Sequence, residues 1–303
     1  MATARYDRLI DDLRSEYRPQ REWAEGRGLF LVIGHFLVGV AAGTWLMGLL
    51  YGVTEALVVA FSLACLGGLA HLAFLGRPER AWKMMTRTAS SWIARGFWGL
   101  SLFLAGGFLC LVPELWAGAP WSANSALSMA GYGLAFAGMV VLIVYMGFVY
   151  TSSKAIPFWN SPLHPVLYIA YACRGGIAAL LIVMTGSGWP IETGSALLEV
   201  WMTITAVVAV LWLLELQSAT TGGNTAARRS VRELLAGRVA LYFYGGILVI
   251  GLAVPAVLVA GIAAPMSQMT LAAIGLASVV GDFFMKYSSI RAGIYLPLRT
   301  HHE

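Results

Sequence analysis

Charge is what this sequence lacks most. Only 12% of its 303 residues are charged while 59% are hydrophobic, against roughly a quarter charged in a soluble domain, which rules against a water-soluble fold. Cysteine is nearly as scarce. The three present, Cys65, Cys110 and Cys173, each sit in a hydrophobic stretch and none forms a Cys-x-x-Cys pair. They neither staple a secreted fold nor supply the four thiolates of an iron–sulfur cluster, so they read as small packing residues. Any electrons this chain handles must therefore come from another subunit. A soluble basic face is missing too: the net charge is +5, but the basic residues border apolar runs, which excludes nucleic acid as a partner.

What is present is a series of apolar runs. Eight have spanning length: Leu29 to Leu50, Ala56 to Leu75, Trp92 to Val112, Ala126 to Val149, Pro165 to Val183, Ala196 to Leu216, Val239 to Ile262 and Met269 to Ile290. Each can cross a hydrocarbon core of about 30 Å as a helix with every backbone group paired. Barrel strands would be about half as long and would alternate in polarity. The reading is an all-α integral membrane protein of eight transmembrane helices. Glycine is abundant, with Gly39 and Gly43 in the first span and Gly106 and Gly107 in the third, as close helix packing in lipid requires.

The loops alternate in charge. Those before span 1, between spans 2 and 3, 4 and 5, and 6 and 7, and after span 8 hold Arg77, Arg80, Lys83, Arg87, Lys154, Arg228, Arg229, Arg232, Arg291 and others. The four opposite loops contain no Lys or Arg and carry Glu55, Glu114 and Glu192. The positive-inside rule then places both termini in the cytoplasm, in the inner membrane of a bacterium or archaeon. The chain divides into a cytoplasmic N-terminal segment (1–28), the eight-helix domain (29–290) and a cytoplasmic tail (291–303). Leu9, Ile10, Leu13 and Tyr17 share one helical face before Pro19. They predict a short amphipathic helix on the membrane or a partner, or else a solvated tail. The two longest loops, 76–91 and 217–238, each follow the second span of a half, which points to two four-helix bundles.

Ionisable groups inside spans are costly and mark function by default. They are His35, His71, Arg95, Arg174, Glu199, Glu215, Asp282 and Lys286. At 1.5 Å per residue, His35 and His71 lie about 9 and 6 Å inside the cytoplasmic ends of their helices. Arg95, Glu215, Asp282 and Lys286 belong to the same half. Such a layer of imidazole, carboxylate and guanidinium suits proton-coupled quinone chemistry, which needs donors to two oxygens and an acceptor titrating near neutrality. Plainer roles stand beside this one. Asp282 and Lys286, four residues apart, can neutralise each other. Arg95 and Glu215 can snorkel, and the histidines can link helices or ligate haem. Arg174, near the midplane, needs a mate, and Glu199 is a candidate.

The loop after span 2 runs from His71 through Gly76-Arg77-Pro78-Glu79-Arg80-Ala81-Trp82, and span 3 opens Ser90-Ser91-Trp92 before Arg95-Gly96. Span 4 closes on Tyr150, followed by Lys154 and Ile156-Pro157-Phe158-Trp159-Asn160-Ser161-Pro162. The last span ends Lys286-Tyr287, with Arg291, Gly293, Tyr295 and Pro297 beyond. Together, in this order, these resemble the NrfD-like family of membrane subunits. That family includes the anchors of polysulfide, dimethyl sulfoxide and cytoplasmic sulfite oxidoreductases. The resemblance implies a quinone-binding anchor, for ubiquinone or menaquinone, without haem or metal of its own. It would pass electrons between the quinone pool and an iron–sulfur subunit, itself bound to a molybdopterin catalytic subunit on the cytoplasmic side, as in anaerobic or sulfur respiration.

Carried over position by position, His71 matches the family histidine of the quinol site and Tyr150 the aromatic residue ending span 4. His35 and Trp92 face the same pocket, and Arg95 would stabilise negative charge on the reduced ligand. Two departures matter. The segment reads His71-Leu-Ala-Phe-Leu-Gly76 where some relatives run His-Leu-Gly directly. Arg95 stands where several relatives place an acid, which leaves the proton relay to Asp282 or Glu215. Arg77, Arg80, Trp82, Lys154 and Trp159 would dock the iron–sulfur subunit. The rival readings are a secondary transporter, allowed by midplane charge, and a haem-binding electron-transfer anchor.

Overall fold

The computed structural model describes residues 10, 12, 14–186, 189–261 and 266–297. Leu9 and Leu13 of the expected amphipathic segment, and the tail beyond Pro297, lie outside the described residues. Eight helices are long and apolar enough to cross a membrane. They are α1 (Gly28–Tyr51), α2 (Thr54–Leu75), α3 (Trp92–Leu115), α4 (Ala126–Thr151), α5 (Leu163–Val183), α6 (Ile191–Thr221), α8 (Tyr242–Val259) and α9 (Gln268–Arg291). Among the described residues the only strand-like pairing is a single bridge, Pro19 with Ile294.

Two elements differ from the expected loops. Span 6 runs on to Thr221 because no helix breaker follows Leu216 until Gly222 and Gly223, the latter at φ +78°. A short helix, α7 (Thr225–Ala236), then fills what reads as loop. Asn224 starts it by accepting from the amides of Ala226 and Ala227 at 2.9 and 3.2 Å, which satisfies two of the four orphan donors. Ala226, Ala227, Val231 and Leu234 are buried while Arg228, Arg229 and Arg232 are exposed, so the helix is amphipathic. The 76–91 loop likewise contains a 3₁₀ segment, Pro78–Arg87.

Helix α1 is central, packing against α2, α4 and α5. Helix α5 also meets α6 and α9, α3 pairs with α4, and α8 with α9. Several crossings depend on glycine, two of them on glycine from both helices at one point. At Gly43 and Gly176 the backbones of α1 and α5 touch, and at Gly251 and Gly281 those of α8 and α9 do; a Cβ at any of these would collide with main chain. By contrast α6 and α8 barely touch. Helix α8 is also unusual in its winding, a π-helix from Tyr242 to Ala253 before Pro255.

The end bearing the basic loops carries a lid. Gln20 N donates to Gly293 O at 2.8 Å, Tyr295 N to Arg18 O at 2.9 Å, and Leu296 N to Ala155 O at 2.9 Å. Ile294 N donates to Ser230 Oγ of α7 at 3.0 Å. Segments near both chain ends, the 151–162 loop and α7 are thereby tied over the bundle.

Candidate functional site

Polar side chains gather beneath this lid. His35 of α1 and Tyr150 of α4 share a 2.6 Å hydrogen bond between Nδ1 and the hydroxyl. His71 of α2 lies beside them, its ring 5.0 Å from that of His35. Its Nδ1 lies 2.7 Å from Gly67 O, one turn back in its own helix. A carbonyl only accepts, so in neutral His71 the proton sits on Nδ1 and Nε2 is a bare acceptor. The His71 ring packs on Gly34, where any Cβ would meet it, which explains how α1 and α2 bring the two imidazoles so close. His71 is half-buried, whereas His35 and Tyr150 are fully buried.

Lys286 of α9 completes the layer. It lies 3.4 Å from both His35 O and Met146 Sδ and 4.4 Å over the Tyr168 ring. Tyr168 in turn touches Tyr150 and His164, ring centroids 5.4 and 4.9 Å away. His164 Nδ1 bonds Glu215 Oε1 at 3.1 Å, and Ser161 Oγ donates to Glu215 Oε2 at 2.8 Å. Sequence reasoning missed His164 and Tyr168. His164 precedes the apolar run that marks span 5, and a tyrosine in such a run reads as packing.

Deeper in, the charged pairs differ from expectation. Arg174 does not meet Glu199, which is exposed on the outer surface of α6. It pairs with Asp282 of α9 and also donates to Thr205 Oγ1 at 2.9 Å and Gly251 O at 2.8 Å. The Gly251 carbonyl is available because its α-helical partner would be the amide of residue 255, and Pro255 has none. Asp282 therefore makes its direct ion pair with Arg174, while Lys286 stands one turn nearer the lid.

Trp92 and Arg95 stand apart from the histidines. Arg95 donates to the Thr88 and Ala89 carbonyls, each at 2.9 Å, and lies 4.2 Å over Trp92, which stacks on Phe148 at 4.4 Å. They line an open groove of about 390 Å³ between α3 and α4. Tyr145 packs on Gly96 of α3, and its ring is 6.0 Å from that of His35.

Of the residues expected to dock a partner, Arg77, Arg80, Trp82 and Lys154 are exposed at the basic end, Trp82 to 62%. Trp159 is a correction. It is 1% exposed and its Nε1 donates to Ser289 O at 3.0 Å, so it fastens the loop from below and cannot touch a partner. Among the described residues no group of three His, Cys, Asp or Glu side chains could hold a metal ion.

Against known proteins, the family model described as polysulphide reductase, NrfD, matches residues 27–297. The match takes in all eight helices, the layer beneath the lid and both motif-bearing loops. No curated protein matches the chain.

Proposed function

The chain belongs to the NrfD polysulphide reductase family, and from that premise we propose that it is the quinone-reactive membrane subunit of an oxidoreductase complex. In this reading it exchanges electrons between a lipid-soluble quinone and an iron–sulfur subunit docked on the basic, cytoplasmic end. That subunit in turn serves a molybdopterin catalytic subunit. The observation that carries the reading is the His71 imidazole, half-buried, with Nδ1 committed to Gly67 O and Nε2 without a partner among the described residues.

Quinol oxidation releases two electrons and two protons. The bare Nε2 of His71 takes the proton of one hydroxyl as a general base. His35, whose Nδ1 is engaged by the Tyr150 hydroxyl, meets the second hydroxyl and takes its proton on Nε2. Lys286 lies at the same depth and Asp282 one turn further in, as the next protonatable group inward. Trp92 and Arg95 line the approach from the bilayer. Electrons leave through the lid, where Arg77, Arg80, Trp82 and Lys154 face the partner while Trp159 holds the 151–162 loop in place.

Two features weigh against the rivals. The His35 and His71 rings are in direct contact at 5.0 Å, which leaves no room for a porphyrin between them. A transporter site of the broken-helix kind gathers its polar groups at the midplane, whereas most here lie near one end. The test is turnover of the assembled complex. His71→Ala lowers quinol oxidation by about 100-fold or more, the usual worth of a general base, while partner subunits still co-purify. Unchanged turnover with assembly intact overturns the assignment.

A further inference from the structure

A second opening reaches the interior from the opposite side of the bundle. Because α6 and α8 barely touch, a cleft of about 190 Å³ lies between them. Trp212 and Phe243, whose rings meet edge to face with centroids 6.4 Å apart, form one wall, and Tyr171, Arg174 and Asp282 the floor. At its mouth Leu213 and Leu248 are exposed, Leu213 to 66%, on surface that faces lipid in a spanning helix. The volume is small beside the several hundred Å³ of a drug-sized site. It admits one ring-sized head and leaves any tail outside, among the lipids.

Hydrogen-bond bookkeeping on the floor defines what that head must offer. Of the five N–H groups of Arg174, four are engaged: Nε with Thr205, two on Nη1 with Asp282 and Ser278 O, and one on Nη2 with Gly251 O. One donor remains. Tyr171 accepts from Trp212 Nε1 at 2.9 Å, and its own hydroxyl proton has no acceptor among the described residues. Asp282 is 4% exposed, and its Oδ2, without a hydrogen-bond partner among the described residues, lies beside Gly175 of α5. Tyr171 and Arg174 thus keep two donors in an otherwise apolar cleft, where unmatched polar groups are costly. The charges of Arg174 and Asp282 cancel, so an anionic lipid or fatty acid gains no net attraction. A neutral head whose oxygen accepts from Tyr171 and Arg174 fits, and an aromatic wall favours a flat ring.

We infer that the cleft between α6 and α8 is a second site for a neutral, lipid-soluble ring carrying carbonyl or hydroxyl oxygen, the quinone class, entered sideways from the bilayer. It shares Asp282 with the proton path proposed from the histidine layer but does not depend on that reading.

Photolabelling of the intact chain in lipid nanodiscs with an azido-substituted decylbenzoquinone tests the inference, with labelled peptides read by mass spectrometry. Label is expected on α6 and α8. Decylbenzoquinone suppresses it roughly tenfold at concentrations where decylbenzene, the same tail and ring without oxygen, does not. Ala209→Trp, which fills the cleft, removes this label. Leu213→Trp, at the exposed mouth where folding is not at stake, reduces it. Label absent from α6 and α8, equal competition by decylbenzene, or undiminished label in both variants overturns the site. Label on α1, α2 or α4 reports separately on the histidine layer, so each site fails or stands by itself.

Discussion

Arg174 and Asp282 form a fully buried ion pair, and such pairs respond asymmetrically to mutation. Removing one partner strands the other charge, at a cost of about 3–5 kcal/mol, while replacing both by apolar residues is often neutral. Asp282→Asn or Arg174→Met alone is therefore expected to lower the thermal unfolding midpoint in nanodiscs sharply. Arg174→Met with Asp282→Leu restores most of it. A double variant as unstable as the sum of the singles refutes the pairing. Tyr150→Phe removes the 2.6 Å bond to His35 and is expected to raise the apparent KM for quinol more than it alters assembly, as initial rates over a range of quinol would reveal. The residues themselves were partly legible. His35 and His71 stand out as polar groups at similar depth in apolar spans, Tyr150 enters through the family resemblance, and the structure brings the three together. The mate of Arg174 was not legible, because depth along a helix can be counted from sequence but rotation about its axis cannot. Glu199 and Asp282 were both within reach in depth, and only packing turns one inward and the other out.

At the scale of the helix, the sharpest constraint is the contact of α1 with α5 at Gly43 and Gly176. With no hydrophobic effect to drive association in lipid, close backbone approach supplies the packing. Gly43→Leu is expected to abolish a folded chain, while Gly52→Ala, whose added methyl meets nothing but whose backbone has φ +66°, costs only about 1 kcal/mol. Recovery of monodisperse protein on size exclusion compares the two. The eight spans could be read from length and hydropathy alone, since backbone pairing in hydrocarbon leaves few alternatives. The winding of α8 could not. Its residues Tyr242–Ala253 are nearly all apolar or glycine, and a helix hydrophobic over most of its surface has no stripe from which to read 3.6 or 4.4 residues per turn. The α7 helix went unread for the opposite reason, a short polar segment whose few apolar residues make sense only once the lid they pack under exists.

For the molecule as a whole, the distribution of Lys and Arg sets one expectation still open to direct test. Single cysteines at Ser90 and Ser122, in a background freed of Cys65, Cys110 and Cys173, should label from opposite sides of an intact membrane. An impermeant maleimide added outside is expected to reach Ser122→Cys and not Ser90→Cys; the reverse pattern inverts the orientation. The lid has a bearing on the order of packing. The carbonyl that anchors Trp159 belongs to Ser289, and the partners of Gln20 and Arg18 are Gly293 and Tyr295. These lie in and just beyond α9. A chain in which α9 has not yet docked leaves the basic end without its fastenings, so that surface takes its final shape only once the rest of the bundle has closed around this helix.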